Sequence, residues 1–258
     1  MTSQEEEAPD GVTPPNRIAL VTGATRGIGR AVAVALARDG LHVIITGRVT
    51  SQLEETDDAI RAVGGTATLI PLNLLQAERV DGLGPALYQR FGHLDVLVAN
   101  AGILGPLSPL PHVTTEAWQR VIDTNLTANW QLIRTLDPLL RRSSAGRAIF
   151  VTSGAARADH AYWGPYAVSK AGLEALAKTY AQEMANTHVC ANLINPGPVR
   201  TQMRAKAFPG EDPQTLPAPD EIAPLFVELA RPECTASGEI FDAYSWLSQH
   251  KSKAEPSV

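Results

Sequence analysis

Residues 18–29 read Ile-Ala-Leu-Val-Thr-Gly-Ala-Thr-Arg-Gly-Ile-Gly. Four apolar residues, Ile18 to Val21, run straight into a turn that holds Gly23, Gly27 and Gly29. A short unbroken apolar run is what a strand buried on both faces of a parallel sheet requires. The residues that follow change period. Ile28, Val32, Ala35 and Leu36 fall at i, i+4, i+7 and i+8, one stripe of a helix, and Gly40 supplies the stop. Strand, glycine-rich turn and helix in immediate succession form the start of a phosphate-binding βαβ unit. Glycine admits positive φ and has no Cβ, so backbone N–H groups of the turn can close on a pyrophosphate. The helix start adds partial positive charge behind them. Gly23, Thr25, Arg26, Gly27, Ile28 and Gly29 are therefore candidate cofactor-binding residues.

The pattern repeats along the chain. Residues 41–46, 68–72, 94–98, 148–152 and, more weakly, 189–194 read as further strands. Residues 51–63, 76–91, 115–141 and 163–186 read as helices. This alternation predicts an α/β fold, a single doubly wound Rossmann-type domain with a mostly parallel sheet flanked by helices. No linker interrupts it, so 16–247 is expected to be one domain. Residues 1–15, with three glutamates and three prolines, read as a disordered lead, and 248–258 as a loose polar tail.

Composition removes several function classes. The 258 residues carry 22 basic and 27 acidic side chains, a net charge of −5, and Glu5, Glu6 and Glu7 supply much of the excess. Binding to nucleic acid through overall charge is thus not expected. Cys190 and Cys234 have no further partners, which excludes a disulfide framework and a four-cysteine zinc site, and they read as two buried thiols. The six histidines form no HxxxH or HExxH pair, so no metal site is expected. No run approaches the roughly 18 apolar residues of a membrane helix, and the N-terminus lacks a signal-peptide pattern. The expectation is a cytoplasmic protein.

The end of the second strand selects the cofactor. An NAD site places Asp or Glu there to hold the ribose 2′-OH. Gly47 and Arg48 stand in this position. Gly47 removes a carboxylate that would repel a 2′-phosphate, and Arg48 offers it a bidentate fork. Arg26 can approach the same phosphate from the glycine turn. NADP(H) is therefore preferred, with NAD(H) possible.

Further along, Tyr166 and Lys170 are spaced i, i+4, on one face of a helix. A phenol with a pKa of about 10 is a weak acid–base group at neutral pH, and a neighbouring ammonium favours its ionised form. Ser153 closes the strand at 148–152, at the end of a parallel sheet where ligands bind. Its hydroxyl can hold a substrate oxygen while Tyr166 exchanges a proton.

These residues carry a family resemblance over about Arg17 to Tyr244. The chain resembles a short-chain dehydrogenase/reductase of the type about 250 residues long. Thr22–Gly29 is similar to the family's TGxxxGxG turn, and Ala99-Asn100-Ala101-Gly102 to its NNAG segment. Tyr166–Lys170 matches YxxxK, Ser153 the catalytic serine, and Asn125 the helix-bending asparagine. Pro196-Gly197 through Thr201 resembles the loop that touches the nicotinamide. Residues 203–209 and 211–214 are similar to a bacterial subgroup whose substrates are poorly defined.

The resemblance implies a seven-stranded sheet and these roles: Tyr166 as general acid/base, Lys170 lowering its pKa and binding ribose hydroxyls, and Ser153 on the substrate oxygen. Asn125 would hold a water linking Lys170 to solvent. Asn73, where the family often has Asp, Leu74, Asn100, Ala101, Gly102, Pro196, Gly197, Val199 and Thr201 would contact the cofactor. The last strand conforms loosely, as Gly238-Glu-Ile-Phe-Asp242. The apolar helices at 115–141 and 163–186 would form a homodimer or homotetramer interface.

The proline-rich stretch 198–219 suits a lid over the substrate, and Leu104, Tyr162 and Trp163 are candidate pocket walls. The expected function is an oxidoreductase moving hydride between NADP(H) and a small-molecule carbonyl or secondary alcohol, probed first as a carbonyl reductase, the 3-oxoacyl type included. Two other readings compete. A non-catalytic nucleotide-binding or redox-sensing module needs the turn but not Tyr166. A sugar-nucleotide epimerase or dehydratase expects TGxxGxxG spacing, which this chain lacks.

Overall fold

The structure, a computed structural model, describes residues 17–254. The lead expected over 1–15 and residues 255–258 lie outside the described residues.

In chain order the elements are β1 (Ile18–Thr22), α1 (Gly27–Arg38), β2 (His42–Gly47), α2 (Thr50–Ala62), β3 (Thr66–Pro71), α3 (Ala77–Asp81), α4 (Leu83–Phe91), β4 (Val96–Ala99), α5 (Thr115–Ile122), α6 (Ala128–Leu140), β5 (Arg147–Val151), α7 (Gly164–Glu183), β6 (Cys190–Asn195), α8 (Gln202–Ala207), α9 (Pro219–Ala230), β7 (Ile240–Asp242) and α10 (Ala243–Ala254). All seven strands run parallel in the order β3-β2-β1-β4-β5-β6-β7. The order reverses between β1 and β4, and in such sheets the ligand crevice opens at the carboxyl ends beside that reversal.

Strand alternation sorts the core into two layers. Ala19, Val21, Val43, Ile45 and Val98 belong to the layer shared with α1, α2 and α9. Leu20, Ile44, Leu97 and Phe150 belong to the layer shared with α4, α6 and α7. Every residue of β1 and β4 is buried, which is why these strands read as unbroken apolar runs.

Three expectations need correction. The helix expected over 76–91 divides at Gly82 into α3 and α4. Residues 248–254, read as a loose tail, are the end of α10. That helix is held on α9 by Trp246 Nε1, which donates to Glu228 Oε2 at 2.9 Å, and within the helix the Trp246 ring stacks on His250 at 4.2 Å. Cys190 and Cys234 are free but half-buried, because Cys190 opens β6 at the sheet rim, with its Sγ 3.9 Å from the Thr235 carbonyl. Among the described residues no helix is long and apolar enough to cross a membrane.

The end of the sheet away from the crevice is fixed by a buried carboxylate. Asp95 Oδ2 accepts the Ile18 N–H at 2.7 Å, and its Oδ1 accepts the Ser143 hydroxyl at 2.6 Å. His93 Nε2 lies 3.2 Å from Oδ2. Asp95→Ala strands both donors in a dry environment and is expected to lower stability by about 2–4 kcal/mol. A urea midpoint equal to wild type at an unchanged slope would contradict this.

Candidate active site

The glycine turn takes its shape from a close approach of helix to sheet. Gly23 and Gly27 have φ of +66° and +56°, a region that L side chains avoid. Gly29 is helical, yet a Cβ there would stand 2.3 Å from the Gly23 carbonyl oxygen and 2.4 Å from Asn100 Nδ2. Asn100 uses that amide to donate to the Thr22 and Gly23 carbonyls at 2.9 and 3.3 Å. Thr22 Oγ1 in turn accepts the N–H groups of Asn100 and Ala101 at 3.0 and 3.1 Å. The ends of β1 and β4 are thereby stitched together under the turn. Thr22 was not singled out from the sequence. Its place at the last residue of an apolar run, one before Gly23, is the signal that could have found it.

A cleft of about 880 Å³ opens above these strand ends. The glycine-turn residues, Arg48, Asn73, Leu74, Asn100, Ala101, Gly102, Tyr166, Lys170, Pro196 and Thr201 all line it. Asn125, Ser153, Gly197 and Val199 do not. Gly197 instead lies against the Tyr244 ring, where a Cβ would meet it at 2.5 Å, and Val199 is buried. Gly47 has a steric reason besides the electrostatic one, since a Cβ would stand 2.3 Å from Thr25 Cγ2. Arg26 is directed across the turn, donating to Gln202 Oε1 at 2.8 Å. Asn73 Oδ1 accepts the Leu75 N–H at 3.2 Å, closing a tight turn. Of the expected pocket walls only Leu104 lines the cleft. Trp163 packs edge-on against Tyr166 at 5.8 Å, and the exposed Tyr162 does not line the cleft. Arg120, Arg200 and Lys206 line the cleft without having been anticipated.

The residues present fit a phosphorylated dinucleotide. The absence of a Cβ at Gly29 lets α1 sit low on the strand ends, helix-start N–H groups suit an anion, and Arg26, Arg48 and other cations line the cleft while no carboxylate does, among the described residues.

At the other end of the cleft, Tyr166 and Lys170 project from the first turns of α7, and both are buried. Lys170 Nζ donates to the Val151 carbonyl at 2.7 Å and sits 5.8 Å from the Tyr166 ring centre. Ser153 follows β5 in extended conformation and its Oγ accepts the Ala155 N–H at 3.2 Å. Asn125 lies in a single π-helical turn, Asp123–Thr127, between α5 and α6. Such turns are rare and concentrate at functional sites. Its side chain is fully buried: Oδ1 accepts the Ile103 N–H at 2.8 Å, and Nδ2 donates to the Ile103 carbonyl and to Ser169 Oγ at 2.9 and 3.0 Å. The π turn thus fixes the loop after β4 against α7.

With this geometry, a family model described as short chain dehydrogenase matches residues 17–212. The chain belongs to the short-chain dehydrogenase family. An uncharacterised oxidoreductase of Escherichia coli, YciK, is 37% identical over 232 residues, 88% of this chain and 92% of that protein. A 3-oxoacyl-[acyl-carrier-protein] reductase of Synechocystis is 34% identical over 234 residues, 88% of this chain and 94% of that protein. A short chain dehydrogenase of Shigella flexneri, crystallised with NADP, superposes with a TM-score of 0.85 at 38% identity, covering 89% of this chain and 97% of that one.

The electrostatics of this short-chain dehydrogenase differ from the simplest expectation. Burial pushes the Tyr166 phenol up from its ordinary range, and its hydrogen bond with Ser153 only partly offsets that. Burial also pulls the Lys170 ammonium down from its ordinary 10.5 to about 8. The attraction of Lys170 for a phenolate, expected from the i, i+4 spacing, is not what governs here. Both groups share one dry pocket, and each is disfavoured in its charged form. A lysine with a depressed folded pKa binds fewer protons than in the unfolded chain. It therefore penalises folding below pH 8, and the penalty is relieved as pH rises from about 8 towards 10.5. The stability of the ligand-free protein should rise across that window faster than that of Lys170→Met, by up to about 1.4 kcal/mol per pH unit. Parallel curves for the two proteins in denaturant titrations would refute it.

Proposed function

We propose that this oxidoreductase is a cytoplasmic NADP(H)-dependent carbonyl reductase acting on a small ketone or aldehyde, or on the corresponding secondary alcohol in reverse. The observation that carries the reading is the convergence of Tyr166, hydrogen-bonded to Ser153, and Lys170 on a cleft that is also lined by Arg26 and Arg48 and, among the described residues, by no carboxylate. Relatives support it: the Shigella protein holds NADP, and the Synechocystis protein is a 3-oxoacyl reductase, which makes 3-oxoacyl thioesters one candidate substrate class.

When bound, NADP(H) supplies or accepts the hydride. Tyr166 donates its phenolic proton to the substrate oxygen during reduction, and Ser153 hydrogen-bonds that oxygen. Burial keeps the phenol protonated at neutral pH, the form that reduction needs. Lys170 turns from the Val151 carbonyl to the ribose hydroxyls and returns the proton to Tyr166. The space beside Gly102, where a Cβ would lie, is 3.3 Å from Asn125 Oδ1 and 3.6 Å from Lys170 Nζ. The side chains of Asn125 and Lys170 thus meet beside Gly102, and a water held near them would relay the proton to Lys170. Arg48 and Arg26 hold the 2′-phosphate, and the turn and the start of α1 hold the diphosphate. Asn73, which lines the cleft, would face the adenine. A homodimer or homotetramer is proposed through α6 and α7, where Trp130 and Val168 are 45% and 48% exposed.

Tyr166→Phe should lower kcat for NADPH-driven carbonyl reduction at least about a hundredfold, the usual size of a lost acid–base group, while NADPH still binds. Turnover that survives in this variant would refute the mechanism and leave a binding module as the better account. Arg48→Asp should reverse the preference for NADPH over NADH in kcat/KM. A wild-type preference for NADH would refute the cofactor assignment. Light scattering at micromolar concentration showing a monomer would refute the assembly.

A further inference from the structure

The cleft is more basic than its cofactor needs. Six basic side chains line it, Arg26, Arg48, Arg120, Lys170, Arg200 and Lys206, in a chain whose net charge is −5. NADP(H) brings roughly four negative charges, about two on its 2′-phosphate and about two on its diphosphate. The 2′-phosphate end is assigned Arg26 and Arg48, and Arg120 lines a neighbouring groove together with Arg48 and Glu116. The diphosphate is met by backbone N–H groups. Lys170 is assigned to the ribose, and Arg26 and Arg200 each donate to a glutamine, Gln202 Oε1 at 2.8 Å and Gln214 Oε1 at 3.0 Å. Lys206 is left over. Among the described residues it has no hydrogen bond and no ion pair, and it opens onto the cleft.

Its placement is fixed by the rest of α8. Thr201 caps the helix, accepting the Arg204 N–H at 3.2 Å. On one face Arg204 stacks its guanidinium on Phe208 at 3.7 Å and grips Glu211 with two bonds of 2.5 and 2.6 Å. Phe208 packs on Trp163 at 5.7 Å, and Trp163 packs on Tyr166. This chain of contacts clamps the back of α8 to the catalytic helix. The front, Met203 and Lys206 at i and i+3, is thereby held towards the cleft.

Resting on the reductase reading, we infer that α8 is a substrate-reading element. Met203 covers the apolar part of the carbonyl compound, and Lys206 binds an anionic group that the substrate carries away from its carbonyl, a carboxylate or a phosphate. An exposed lysine on a short helix is an electrostatic anchor and not a shape filter, so it selects charge over structure.

The test uses matched carbonyl pairs with and without the anion, with NADPH as reductant. Acetoacetate is compared with methyl acetoacetate for the carboxylate. Acetoacetyl-coenzyme A is compared with acetoacetyl-N-acetylcysteamine, the same thioester without phosphates. In wild type the anionic member of at least one pair should have the higher kcat/KM by about tenfold or more, carried mainly by KM, and the pair that responds identifies the anion. Lys206→Gln should collapse that ratio and Lys206→Glu should invert it. Ratios near unity in wild type, or ratios untouched by Lys206→Glu, overturn the inference while NADPH consumption leaves the reductase reading standing. A raised KM for NADPH in Lys206→Glu with intact ratios assigns Lys206 to the cofactor and also overturns it. If none of the four compounds oxidises NADPH, the reductase reading fails and takes the subsite with it.

Discussion

At Gly29 the backbone of α1 passes so near the sheet that a Cβ would stand 2.3 Å from the Gly23 carbonyl oxygen and 2.4 Å from the Asn100 amide. A side chain there would have to push the helix away from the ends of β1 and β4. The consequences reach through the whole site. The free N–H groups at the start of α1 point into the cleft only while the helix sits this low. Asn100 can bond two carbonyls of the turn only while it lies beneath it. Asn100 also continues directly into Gly102 and Ile103, which Asn125 clamps to the α7 side. One close contact therefore sets the distance between the phosphate cradle and the pair Tyr166 and Lys170, although the two are separated by well over a hundred residues of chain.

Much of this was legible because the deciding signals are local. A strand buried on both faces and a helix with one apolar stripe differ in period within a few residues, so six of the seven strands could be read directly. The i, i+4 spacing of Tyr166 and Lys170 and the Gly47-Arg48 pair after β2 are local too. What was not legible depends on partners distant in sequence. Thr22 meets Asn100 across 78 positions, and neither segment alone shows that the two are paired. The helical end of α10 rests on Trp246 finding Glu228. Trp163 was expected to wall the pocket because it precedes Tyr166, but its ring turns to Phe208, a contact that only the fold of the 201–211 segment creates. Arg120 and Lys206 look like ordinary solvated charges in their own segments. Only the shared cleft gives them a meaning.

The segment around α8 shows how a short helix can be made definite. Six residues cannot hold helical shape by their own hydrogen bonds, since nucleation is unfavourable and only a few bonds repay it. Here the stability is borrowed from outside. Gln202 is tied to Arg26 at the glycine turn, while Phe208, gripped by Arg204, is tied through Trp163 to Tyr166. The helix is thus anchored at the cofactor end of the cleft by one contact and at the reacting end by the other. A proline-rich segment, whose sequence suits a lid with a short helix near 199–207, is placed by two contacts that belong to the two halves of the site.

The burial of Tyr166 and Lys170 bears on the chemistry more directly than their proximity does. Were the pair exposed, water would screen each from the other and leave both near their ordinary ionisation, with the phenol neutral and the amine charged. In the dry pocket the phenol is held neutral more firmly, and the ammonium is weakened towards about 8. A weakened ammonium is a better proton donor to a phenolate than an ordinary lysine, because less free energy separates its charged and neutral forms at neutral pH. A strongly neutral phenol keeps its proton until a developing alkoxide, more basic than itself, is placed against it. For the proposed reduction, burial arranges the two groups in the order in which the proton would pass, from lysine to tyrosine to substrate oxygen. The Ser153 hydrogen bond, which favours the phenolate, limits how far burial can raise the barrier to the transfer from tyrosine to substrate.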